Sequence, residues 1–224
     1  MTDKSQVTGI AIMVEKDAEP ASRSVSRTQR RASRTRKRLL DAALAMFSEK
    51  GVDATAIEDI TERADVGKGT FYRHFGNKEA VVVALAESAV SRLTDSTKPA
   101  KPPEDLEAAL AHLLNAYCSF YKEHTEEFLL LFQGRLLLKL QKESGEIDPP
   151  FSGYLKELGQ QVAAFAPQQP VPDAKIRRLA ATLAGYPFIH FSLAKPSAPA
   201  EEIEAVIQPL RRSLVAGLMA LLSR

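Results

Sequence analysis

Residues Val66 to Lys78 read VGKGTFYRHFGNK, and this order of glycines, donors and two spaced aromatics admits few local structures. From Lys68 to Phe75 the spacing predicts a short helix in which Phe71 and Phe75, four residues apart, share one buried face. The rest of that helix, Lys68, Gly69, Thr70, Tyr72, Arg73 and His74, is small or carries hydrogen-bond donors, and no carboxylate interrupts it. Such a surface suits an approach to base edges and phosphates. Upstream, Thr55 and Glu58 stand at capping-box spacing and predict the start of another helix, whose apolar side is Ile57, Ile60, Ala64 and then Val66. Between the two, Asp65-Val66-Gly67 has the length of the turn in a helix-turn-helix, a motif that offers its second helix to the major groove.

The flanking sequence completes a three-helix unit. A first helix is expected from Ser33 to Lys50, with Leu40, Ala43, Leu44 and Phe47 on one stripe and Gly51 just past its end. Asn77 is placed to cap a fourth helix that continues to about Thr94. Its segment AVVVALA, Ala80 to Ala86, is apolar on more than one side, as a helix touching two bodies must be. It reads as the link that transmits a change of tilt.

A run of like charge leads into the first helix. Arg23, Arg27, Arg30, Arg31, Arg34, Arg36, Lys37 and Arg38 occur without one acid. Residues 1–32 are read as a disordered basic arm that reaches phosphates or the minor groove, a solvated tail being the plainer alternative. Residues 21–95 carry 14 Lys+Arg against 10 Asp+Glu, whereas 96–224 carry 14 of each. The positive excess therefore belongs to the helix-turn-helix half.

Gly51, Thr55, Ile60, Ala64 and Val66, followed by KGTFYRHFGNKEA, resemble the DNA-binding domain of TetR/AcrR-family transcriptional regulators over about Ser33 to Leu93. The resemblance implies an all-helical homodimer whose second domain binds a small effector. It also implies that Lys68, Gly69 and Thr70 read bases while Tyr72, His74 and Lys78 lie near phosphates. With Arg34, Arg36, Thr55 and Arg73 these make up the candidate DNA-binding set. Two positions depart from the family pattern. Asp65 stands where Gly is usual, and Gly67 where Ser or Thr usually caps the recognition helix. Asp tolerates left-handed backbone, and Gly is an acceptable cap.

The breaker-rich DSTKPAKPP, Asp95 to Pro103, marks a boundary. The expected division is thus 1–32 arm, 33–76 helix-turn-helix domain, 77–95 linking helix, and 96–224 helical effector-binding and dimerisation domain. In the last part helices are expected from about Glu104 to Lys122, Thr125 to Lys142, around Tyr154 to Phe165, Asp173 to Ala194, and Ala200 to Leu222. Pro187 and Pro209 fall inside the final two, where proline removes a backbone bond and kinks are expected. Those two helices form the dimer interface, as the resemblance implies. Tyr117, Tyr121, Phe128, Phe132, Tyr186 and His190 are the candidate effector residues. Aromatics at helical spacing are more often core, and a buried hydroxyl or imidazole is satisfied by carbonyls as well as by a ligand.

Other functions find little support. There is no HExxH, no Walker-type glycine loop and no Gly-x-Ser-x-Gly elbow among four histidines and one cysteine. No enzyme activity, metal or cofactor is expected. A single Cys118 is compatible with a reducing cytoplasm, and no apolar run approaches membrane-spanning length. The chain is read as a cytoplasmic all-α regulator of transcription. Its expected partners are double-stranded DNA, a second copy of itself and a small, mostly apolar effector that releases a repressor from a pseudo-palindromic operator. A transcriptional activator and an effector-independent architectural DNA binder remain as alternatives.

Overall fold

A computed structural model describes residues 27–133, 149–165, 170–193 and 200–223. Among these the secondary structure is entirely helical: α1 Arg27–Lys50, α2 Ile57–Arg63, α3 Lys68–His74, α4 Lys78–Ser96, α5 Leu106–Glu123, α6 Thr125–Gln133, α7 Pro149–Ala163, α8 Asp173–Leu193 and α9 Ala200–Ser223. The arm up to residue 26 and the expected extension of α6 to Lys142 lie outside the described residues.

Local signals account for most of the helix ends. Gly51 follows α1 with φ +82° and donates its N–H to the Phe47 carbonyl at 2.9 Å, the left-handed end that glycine adopts without strain. The Asn77 side chain accepts from the Ala80 N–H at 2.8 Å and caps α4. Asp105 does the same for α5, accepting from Ala108 at 2.7 Å.

Two expectations at the front of the chain need correction. The first helix begins at Arg27 rather than Ser33, so residues 27–32 are helical and not part of a disordered arm. Arg, Gln and Ala favour helix intrinsically, but an exposed turn carries no apolar period to announce itself. The cap of α2 is also set one residue later, and only the Asp59 half of a capping box forms. Ala56 is the N-cap of α2, its N–H bonded to Asp59 Oδ2 at 2.9 Å. Thr55 turns inward instead.

The helix-turn-helix is a small core closed by α1. Leu39, Ala42, Ala43 and Phe47 of α1 meet Ile60, Ala64, Phe71 and Phe75 in one buried cluster. Two ion pairs latch α1 to α2: Arg63 Nη1 to Glu49 Oε1 at 2.7 Å and Lys50 Nζ to Asp59 Oδ1 at 3.0 Å. The α2–α3 turn holds Asp65 at φ +50°, the left-handed conformation its substitution for glycine implied. Arg38 reinforces that turn, donating to the carbonyls of Ala64 at 2.5 Å and Asp65 at 3.2 Å.

α4 packs against α1 and also against α5, α6 and α7, burying Val81, Val82, Leu85, Ala86, Ala89, Val90 and Leu93. It therefore touches both halves, as its sequence requires. A second route joins the halves, because α6 lies directly on α1. Beyond these, α8 packs on α5 and α7, and α9 on α5 and α8. Both α8 and α9 run through their prolines, Pro187 and Pro209.

Candidate nucleic-acid interface

α3 presents one face inward and one outward. Phe71 is fully buried and Phe75 nearly so, their rings 5.9 Å apart, which fixes the rotation of the helix about its axis. Lys68, Gly69, Tyr72 and Arg73 are consequently exposed, while Thr70 and His74 are half-buried. Tyr72 is 55% exposed and its ring sits edge-on to Phe71, 5.6 Å away. Space around Gly69 is open to 4 Å from where a Cβ would stand, so the backbone itself can come close to a duplex. Gly67, in extended conformation, caps the helix with no side-chain bond. The Thr70 N–H bonds instead to the Gly67 carbonyl at 2.8 Å.

Arg34 and Arg36 project from α1 into solvent. Arg36 lies over the Phe75 ring, 4.8 Å from its centroid, which brings a fixed positive charge beside the end of α3.

Two of the candidate residues are placed elsewhere. Thr55 is 1% exposed, and its single hydroxyl proton is shared between the carbonyls of Gly51 at 2.7 Å and Met46 at 3.2 Å. It holds the α1–α2 loop. Lys78 is half-buried, and its ammonium donates to the carbonyls of Val52 at 2.8 Å, Thr55 at 2.9 Å and Asp53 at 3.3 Å. All three of its donors are thereby used. Lys78 ties the start of α4 to the loop before α2.

Sequence reading also missed a carboxylate. Although α3 itself has none, Glu58 of α2 forms an ion pair with Lys68. The hydrogen bond from Lys68 holds the Glu58 carboxyl below its ordinary range. Nothing in the spacing of Glu58 announces this, because the contact exists only once α2 and α3 are packed.

The six effector candidates are gathered into one aromatic network. Phe128 contacts Tyr121, Phe132 and Phe188 at centroid distances of 5.1, 4.6 and 5.5 Å. Tyr117 lies 6.4 Å from Phe132, and Tyr186 5.7 Å from His190. Tyr117 and Phe128 are wholly buried core. Of the six, Phe132 lines a cavity with Tyr154 and Arg177.

Known proteins can be set beside this geometry. The family described as bacterial regulatory proteins, tetR family, matches residues 39–85, the span from the buried part of α1 to the middle of α4. Over that span the chain is similar to the DNA-binding domain of the TetR family. Among its relatives, the uncharacterized HTH-type transcriptional regulator YvdT of Bacillus subtilis is 28% identical over 122 residues, 54% of this chain and 63% of that protein. An HTH-type transcriptional repressor of Mycobacterium tuberculosis is 38% identical over 72 residues, 32% of this chain and 38% of the other. The chain thus spans less than two thirds of these relatives. The solved structure of Salmonella enterica GusR matches 84% of this chain and 95% of its own with TM-score 0.59 at 20% identity, a likeness of fold.

Proposed function

We propose that this chain is a homodimeric DNA-binding regulator of transcription of the TetR family. In this reading it represses from a pseudo-palindromic operator and releases it when a small effector occupies the second domain. The observation that carries the reading is the outward face of α3. Its donors Lys68, Tyr72 and Arg73 are exposed because Phe71 and Phe75 are sunk in the core, inside the segment that matches the family.

Within this reading Lys68, Gly69 and Thr70 meet base edges, and Tyr72, Arg73, His74, Arg34 and Arg36 meet phosphates. Base contacts specify, and phosphate contacts position. The second copy docks on α8 and α9. Support comes from Ile189 of α8, 44% exposed, and from the exposed Ala216, Gly217 and Ala220 of α9, small residues over which helices approach closely. Two recognition helices then fall in successive major grooves about 34 Å apart.

Selection of bound sequences from random duplex DNA tests this directly. A two-fold symmetric site is expected, and its absence would favour an architectural DNA binder. Transcription from the selected site in the presence and absence of the protein separates repressor from activator.

A further inference from the structure

A cavity of about 180 Å³ opens among four helices, lined by Val90 and Leu93 of α4, Phe132 of α6, Tyr154 of α7, and Arg177 and Ala184 of α8, among others. Two features mark it as built for a ligand. Tyr154 is only 6% exposed, and its buried hydroxyl has no hydrogen-bond partner among the described residues. A buried hydroxyl of that kind is normally satisfied. Burial also pushes the phenol's pKa up, so it stays a donor. Arg177 is exposed and brings a guanidinium to the edge of an otherwise apolar wall. None of the described lining residues is acidic.

The donor set selects the ligand. A planar fork of N–H groups matches a carboxylate in two-point fashion, and a phenol donates to the same kind of oxygen. The apolar remainder has room for about one ring, since an engineered cavity of about 150 Å³ takes up benzene.

We propose that this cavity binds a small apolar monocarboxylate, its oxygens held by Arg177 and the Tyr154 hydroxyl and its ring or chain packed against Val90, Leu93 and Phe132. The inference rests on the reading of the chain as an effector-responsive regulator and supplies the class of effector. Occupancy bears on DNA through α4. Val90 and Leu93 lie on the helix whose first residue, Lys78, grips the loop before α2.

Calorimetry on the full chain with benzoate and octanoate, against benzamide and benzylamine, provides the test. At least one acid should bind. Its affinity should fall roughly tenfold or more in Arg177→Gln, as expected for losing a charge-assisted bond, and several-fold in Tyr154→Phe. The neutral amide and the amine should bind more weakly than benzoate. Arg177 is at the surface and Tyr154→Phe removes one oxygen, so both variants should keep the fold, which thermal unfolding verifies. Failure of both acids to bind, equal binding of benzamide, or benzoate affinity unchanged in Arg177→Gln would each overturn the assignment. Operator affinity measured on the same samples keeps the two readings apart. An acid that binds through Arg177 without loosening operator sinks the regulatory reading and leaves the site standing. Operator release by a compound insensitive to both substitutions does the reverse.

Discussion

Among single residues, the two lysines that flank α3 take opposite parts. Lys68 is exposed and paired with an equally exposed carboxylate, an interaction that contributes little to stability. Lys78 satisfies three loop carbonyls. Lys78→Ala should therefore lower stability by about 1–3 kcal/mol, read by denaturant unfolding. For DNA bound by the folded fraction, the slope of log affinity against log salt should stay as it was. Lys68→Ala should leave stability nearly unchanged and should reduce discrimination between operator and altered sites. If Lys78 met a phosphate, its loss would instead flatten the salt slope by about 0.9. Glu58 adds a third case. It is an exposed negative charge paired with Lys68, and in the proposed reading it competes with DNA for that lysine. Glu58→Gln should tighten binding to duplexes of unrelated sequence more than to operator, so the ratio of the two affinities should shrink. A ratio unchanged in parallel titrations would show that Glu58 has no part in discrimination.

For the elements, the placement of α3 depends on a turn in which every group has a task. Asp65 accepts a left-handed backbone, and Arg38 holds the carbonyls left open at the end of α2. Asp65→Gly should change stability by less than about 1 kcal/mol, because glycine relieves the positive φ while the 3.3 Å contact from Arg38 to the Asp65 carboxylate is lost. Asp65→Val, β-branched in the same conformation, should lose about 1–3 kcal/mol. Thermal unfolding of the pair distinguishes backbone strain from loss of the ion pair. α4 is anchored at both ends, by Lys78 at its start and by the two-point ion pair of Arg92 with Glu127 of α6 near its finish.

At the scale of the whole molecule, the two halves meet through α4 and through the seat of α6 on α1, where Leu129 and Leu130 line a cavity with Leu44 and Phe47. Operator binding in the proposed dimer also depends on a face remote from α3. Ile189→Asp, placing a charge on the exposed apolar position of α8, should shift sedimentation toward monomer and weaken operator binding by far more than it changes thermal stability. A variant that stays dimeric would move the interface away from this face.

The sequence by itself determined those features whose causes lie within a few residues. Among them are the buried pair Phe71 and Phe75 that turns α3 outward, the Asn77 cap, the glycine stop at Gly51, and the doubly apolar α4. All rest on contacts between near neighbours in the chain, which a helical period displays. It could not show that α1 starts at Arg27, since exposed turns carry no period. Nor could it tell which polar groups remain available once the helices are packed. Thr55 and Lys78 are taken up by loop carbonyls, Arg38 by the end of α2, and Lys68 by Glu58. The cavity edged by Tyr154 and Arg177 belongs to the same class. Its walls come from four helices far apart in the chain, and only their packing decides that a tyrosine hydroxyl is shut in without a partner among the described residues while an arginine lines the same cavity.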